Sequence, residues 1–332
     1  MVMIPETRVL VVGCGSIGKR HARLLTEVPQ VEVLVCDALE ENLQAALEEA
    51  PGSRGFRSYE QALAEEPHAV FVCTPNHLHR PMAVAALEAG CHVMCEKPLA
   101  DTLENAEAIA EAAERAETML QVGYSMRSHS GIRRLRELVE QGVCGNIIGG
   151  RAMVGTYFTL MCATTDYRMT EENALIIDYT HLLDYLALLI GPIARVSAES
   201  ATLGDLPMMP SPNVFSAILT HESGAISQFH ADYVQHPQRS LTEVFGDERV
   251  LSYDAQHYEL RIFHRDRPGY EVERVVTARD DIYRVQIAEF LEAIHGEMTP
   301  VCTAVEGVAA LRAALAAVRS AREHRAVELS EV

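Results

Sequence analysis

Between residues 8 and 122 apolar runs and amphipathic stretches take turns along the chain. The runs RVLVVG, VEVLVC, AVFVC, HVMCE and TMLQV have strand length and no polar–apolar alternation, as strands buried on both faces do. The amphipathic segments between them, near 16–27, 38–50, 78–90 and 101–116, have helix length. This alternation predicts an α/β fold, a doubly wound parallel sheet whose ligands bind beyond the carboxyl ends of the strands. After QVGYSMRSHS the period changes. A helix near 129–141 gives way to alternating strands such as NVFSAILTHESGAISQFHADY, with turns at Ser223-Gly224 and Gly246-Asp247. These predict a second, α+β domain with an open, largely antiparallel sheet. Helical stretches at 281–295 and 303–323 are expected to cover the domain junction and the sheet margin. The expected division is 1–123 for the Rossmann domain and 124–332 for a substrate-binding and oligomerisation domain.

The first strand runs into GCGSIGKRHARLL, with Gly13, Gly15 and Gly18 in Gly-x-Gly-x-x-Gly spacing. Gly13 permits a tight turn, Gly15 lets a pyrophosphate approach the backbone, and Gly18 permits close helix–strand packing. Amides at the helix start, around Ser16 and Ile17, would meet the phosphates. Asp37 closes the second strand, where a carboxylate accepts hydrogen bonds from the adenosine ribose and repels a 2′-phosphate. The following ALEENL offers no cation for such a phosphate, so NAD is expected over NADP. The fifth run stops at Glu96-Lys97-Pro98, and the proline holds Lys97 extended at a strand's exit, on the ligand side of the sheet.

Charge and composition narrow the partners. A net charge of −19 disfavours nucleic acid while leaving room for an anionic small ligand in a local pocket. The N-terminus lacks a basic and then apolar secretion signal. The stretch ALIIDYTHLLDYLALLIG is broken by Asp178, His181 and Asp184, which argues against a membrane span. Eight scattered cysteines without a Cys-x-x-Cys pair read as reduced core thiols, hence cytoplasm, and no metal site is expected.

After the fourth strand, Thr74-Pro75-Asn76 forms a turn before a helix carrying His77 and His79; His77 reads as a helix-covering residue. Together GCGSIG, CTPNHLHRPMAVAALEAGCHVMCEKPLA and DYTHLLDYL resemble the Gfo/Idh/MocA family of oxidoreductases over nearly the whole chain. The resemblance implies that Lys97 is the catalytic lysine, reaching both the nicotinamide ribose and the reacting oxygen, beside a proline peptide that is often cis. It implies that Glu96 helps fix the ribose, and that Thr74, Pro75, Asn76 and His79 line the cofactor site. It further implies a homodimer or homotetramer formed through the second sheet.

On a helix Asp178 and His181 share a face, a setting suited to a general base. The family's histidine usually follows an aspartate by four residues; here position 177 is isoleucine and the acid stands one residue later. Asp184 reads as structural. Tyr124, Arg127, Asp166, Tyr167 and Arg168 are candidate contacts for a polyhydroxylated substrate. The expected activity is NAD-dependent hydride transfer to or from a secondary alcohol of a sugar, polyol or sugar derivative, with Lys97 and His181 handling the proton. A nucleotide-sensing regulator without chemistry, and a glycosidase that uses NAD in transient oxidation, stand as alternatives.

Overall fold

The computed structural model describes residues 7–161, 169 and 173–332. The chain forms two compact units: the chain to Ser125 with Arg279–Ala309, and Met126–Ala278 with Ala310–Val332.

The first unit is built on a six-stranded sheet, β1 (Thr7–Val12), β2 (Val31–Cys36), β3 (Arg54–Phe56), β4 (Ala69–Val72), β5 (His92–Glu96) and β6 (Leu120–Gly123). Its order is β3-β2-β1-β4-β5-β6 and every pairing is parallel. Val9, Leu10 and Val11 of β1 and all of β4 are fully buried, which is why these runs show no alternation. The strand order reverses between β1 and β4, so the crevice for a ligand opens at their carboxyl ends. The loops after β1, β4 and β5 meet there.

The helix Arg279–Ile294 belongs to this unit, although it lies far along the chain. Ile287, Phe290 and Leu291 pack with Val9, Leu24 and Phe71, and the Phe290 ring meets Phe71 edge-on at 5.1 Å. The division expected at residue 123 assigns this helix to the second domain. Periodicity shows that a helix has a face to bury, but not which sheet will cover it. The helix Ala304–Glu323 begins in the first unit and ends in the second.

The second unit holds a nine-stranded sheet: β7 (Ile147–Gly155), β8 (Ile193–Ala201), β9 (Val214–His221), β10 (Ile226–Asp232), β11 (Arg239–Gly246), β12 (Arg249–Asp254), β13 (Glu259–His264), β14 (Tyr270–Arg274) and β15 (Val327–Glu328). Its order is β14-β13-β12-β11-β7-β10-β9-β8-β15, antiparallel except where β10 pairs with β7. In β9 the residues Phe215, Ala217 and Leu219 are buried, while Ser216 and Ile218 are exposed. The buried face packs against the helices Ser130–Glu140 and Thr180–Ile190 through Ile132, Leu135, Leu183 and Leu186. Among the described residues no helix is long and apolar enough to cross a membrane.

Candidate active site

The glycine loop is shaped by what its residues lack. Gly13 has φ +89°, and a Cβ there would lie 2.6 Å from the Thr74 nitrogen and 2.7 Å from the Cys73 carbonyl carbon. A Cβ on Gly18 would fall 1.8 Å from the Gly13 oxygen. Both glycines are therefore demanded by backbone contact within the protein. Gly15 differs: its Cβ position is open space, the place a ligand could approach. The helix Ser16–Thr26 starts at that point with no side-chain cap and no acidic residue in its first turn. Its leading amides and positive dipole end suit a pyrophosphate.

Asp37 Oδ2 accepts the Cys14 N–H at 2.8 Å, and Oδ1 accepts the Leu39 N–H at 2.8 Å. These bonds hold the carboxylate on the rim of the glycine loop, where an adenosine ribose would lie. Arg57, the nearby cation, is already engaged: it donates to the Ala38 carbonyl at 2.6 Å and pairs with Glu40 at 2.6 Å. Open space at Gly15, the uncapped helix start and the anchored Asp37 together fit an NAD-type dinucleotide.

Thr74-Pro75-Asn76 leads into a short 3-10 turn, Asn76–Leu78, and then the helix His79–Glu88. The sequence lists His79 among cofactor contacts; the structure encloses it instead, 1% exposed. Its Nε2 lies 2.9 Å from the Thr74 carbonyl and its Nδ1 3.0 Å from the Pro98 carbonyl. Burial holds this imidazole below its ordinary range, and the carbonyl acceptors and Glu96 oppose that effect. His79 thus ties the turn after β4 to the segment carrying Lys97. The Lys97–Pro98 peptide is cis. Glu96 makes two bonds of its own: Oε2 accepts the Lys97 N–H at 3.2 Å, and Oε1 lies 3.0 Å from His21 Nε2.

In the second unit the helix carrying the histidine is interrupted. Asp178 ends the helix Ala174–Asp178, Tyr179 breaks the turn, and His181 stands in the first turn of Thr180–Ile190. A continuous i, i+3 face does not describe the pair. Asp178 Oδ2 accepts the hydroxyl of buried Tyr233 at 2.7 Å, a contact 55 residues away in the chain.

The expected substrate contacts Tyr124 and Arg127 are buried, 1% and 6% exposed. Arg127 forks onto Asp184, with Nη2 2.7 Å from Oδ1 and Nε 3.0 Å from Oδ2. A guanidinium so close to a ligand-binding strand end looks available in sequence, but the carboxylate that claims it comes from a distant helix. Asp184 is structural, as expected. Asp166, Tyr167 and Arg168 lie outside the described residues.

His21 and Tyr233 were not singled out from the sequence. For His21 a signal exists: it stands three residues after Gly18, on the helix face turned to the sheet, where a polar ring is unusual. Tyr233 follows an alternating strand and carries no comparable signal.

Comparison with known proteins agrees with this construction. Residues 7–124 match the profile described as an oxidoreductase family with an NAD-binding Rossmann fold. Residues 132–252 match the GFO/IDH/MocA C-terminal domain. The 1,5-anhydro-D-fructose reductase of Ensifer adhaerens is 30% identical over 271 residues, covering 79% of this chain and 79% of that one. The chain belongs to the Gfo/Idh/MocA family of oxidoreductases.

Another relative, the myo-inositol 2-dehydrogenase of Thermotoga maritima, is 26% identical over 98% of this chain and 99% of its own. Among solved structures, a levoglucosan dehydrogenase in complex with NADH shares the fold with TM-score 0.87 at 20% identity, over 97% of this chain and 99% of that one. An oxidoreductase from Desulfitobacterium hafniense described as NADPH-dependent does so with TM-score 0.86 at 21% identity, over 99% of both chains.

The Arg127–Asp184 fork yields a stability prediction. Asp184→Ala removes the carboxylate onto which the buried Arg127 guanidinium forks and should lower unfolding free energy by about 3–5 kcal/mol in urea titration. A single variant that unfolds at the wild-type urea concentration would contradict the buried pair.

Proposed function

We propose that this chain is an NAD-dependent dehydrogenase that moves hydride between nicotinamide and a secondary alcohol or ketone of a sugar, polyol or sugar derivative. The observation that carries this reading is the placement of Lys97. It follows the carboxyl end of β5, the strand next to β4, in a segment linked by His79 to the turn after β4 and by Glu96 to the helix of the glycine loop. The names of the two relatives, a reductase of an anhydro-sugar and a dehydrogenase of an inositol, support the substrate class.

Gly13, Gly15, Ser16, Ile17 and Gly18 would hold the pyrophosphate, Asp37 the adenosine ribose, and Glu96 the nicotinamide ribose. Thr74, Pro75 and Asn76 form the adjoining wall. When bound, NAD supplies the acceptor or donor of hydride. The Lys97 ammonium lends positive charge to the reacting oxygen as its proton leaves or arrives. His181 is assigned as the second proton-handling group, oriented with Asp178, whose carboxylate Tyr233 in turn fixes. This assignment rests on the residues' occurrence in family order. The exposed face of the second sheet, with Ile218 and Ile226 each more than half exposed, supports a homo-oligomer formed there.

NAD preference follows from Asp37. A 2′-phosphate beside it would cost the carboxylate its ribose hydrogen bonds and add like-charge repulsion, each on the order of 1–3 kcal/mol. With Arg57 held by Ala38 and Glu40, NAD should be favoured by at least about tenfold in kcat/KM.

The deciding experiment is a panel of sugars, inositols and sugar acids with NAD, followed by nicotinamide absorbance. Net NADH accumulation is expected. Product without NADH would indicate redox-neutral cleavage, and cofactor binding without any turnover would indicate a sensor. On a proven substrate Lys97→Ala should lower turnover by roughly 10²–10⁴-fold with NADH affinity largely kept; unchanged turnover removes Lys97 from the chemistry. Asp37→Ala should weaken NAD use and narrow the gap to NADP, and equal efficiency of both cofactors in the wild type would refute the Asp37 assignment. Light scattering should report a dimer or tetramer, and a monomer at micromolar concentration would count against assembly through the sheet.

A further inference from the structure

His21 sits on the helix that follows the glycine loop and is fully buried. Its ring packs edge-on against Phe71 at 5.2 Å and Tyr283 at 5.5 Å. One polar contact reaches it: Nε2 lies 3.0 Å from Glu96 Oε1. The other nitrogen, Nδ1, is enclosed with no hydrogen-bond partner among the described residues. This arrangement assigns a ring hydrogen to Nε2, which donates to the carboxylate, and leaves Nδ1 facing the aromatic wall. An apolar side chain would fill the same space without that unmet nitrogen, so the reason for a histidine lies in its single bond.

The recipient of the bond is the residue before Lys97. Glu96 is held on its other oxygen by the Lys97 N–H at 3.2 Å, and its side chain is 13% exposed. From β6, Gly123 leaves the necessary room: a Cβ there would lie 2.9 Å from the Glu96 Cα and 3.0 Å from its carboxyl carbon. The carboxylate is therefore gripped at both oxygens and backed by a glycine. A surface glutamate at a strand end would have neither constraint.

We propose that His21 is a positioning residue: through Nε2–H it fixes the Glu96 carboxylate, and with it the strand exit carrying Lys97, in the orientation that receives the dinucleotide. The proposal rests on the roles given above to Glu96 and Lys97. In physical terms, the helix that meets the pyrophosphate at its first turn also sets the ribose-binding carboxylate one turn further on. The pyrophosphate and the nicotinamide ribose are thus both referred to one rigid element.

The test uses the full chain and four variants, His21→Phe, His21→Gln, Glu96→Gln and the His21→Phe/Glu96→Gln double. Thermal melting reports folding, NADH fluorescence titration reports Kd, and steady-state kinetics on a proven substrate report kcat and KM. His21→Phe keeps the ring packing and should melt cooperatively while binding NADH roughly tenfold more weakly. His21→Gln, which restores an N–H donor near the same place, should recover most of that affinity. The double variant should be no weaker than the worse single variant, because both act on one contact. Wild-type Kd and kinetics in His21→Phe beside an impaired Glu96→Gln would overturn the positioning role and leave the Glu96 reading standing. Additive losses in the double variant would also overturn it. A Glu96→Gln protein indistinguishable from wild type in both measurements would remove the Glu96 assignment and the inference together. Should His21→Phe not fold, His21→Met replaces it under the same outcomes.

Discussion

The approach of Gly13 to the Cys73–Thr74 peptide is the contact on which the dinucleotide-binding rim depends. The loop after β1 and the loop after β4 lie so close that no side-chain carbon fits between them, and the backbone at Gly13 takes a positive φ to make the turn. From that junction the other loops are fixed in sequence. Asp37 anchors to Cys14, one residue further on, and His79 carries the connection from Thr74 to Pro98. The exit of β5, with Glu96 and Lys97, is then joined back to the glycine-loop helix through His21. Most of these links end on backbone atoms. They depend on chain path and tolerate side-chain change except where glycine or an inward polar group is required.

Charge in this molecule works locally. A chain of net charge −19 has no long-range attraction for a dinucleotide with a negatively charged pyrophosphate. In the reading proposed above, binding comes from oriented amides at the start of the helix Ser16–Thr26, which act at short range and carry no net charge. In that reading the carboxylates of Asp37 and Glu96 meet ribose hydroxyl groups and not phosphates. Deeper in the protein, charges are matched at contact distance, as in the Arg127–Asp184 fork. The many exposed ion pairs, such as Arg57–Glu40, matter less for stability than for where they keep a cation.

What the sequence by itself determined is what short-range geometry encodes. Strand length without alternation, followed by amphipathic helices, specified the parallel sheet and its order of elements. Glycine spacing specified the phosphate loop, because a turn and a close approach each need a missing Cβ at a set position. A proline after Lys97 marked the strand exit, and alternation specified the second sheet. The tertiary structure alone decided the partners. It gave the helix Arg279–Ile294 to the first unit, since apolar periodicity names a buried face but no cover. It claimed Arg127 for Asp184, turned His79 inward onto two carbonyls, placed Tyr233 on Asp178 and His21 on Glu96. Apart from the His79–Thr74 contact, five positions apart, these contacts join residues between 19 and 75 positions apart. A hydrogen bond recognises distance and direction in space, and the chain's own numbering carries neither until the sheets have formed.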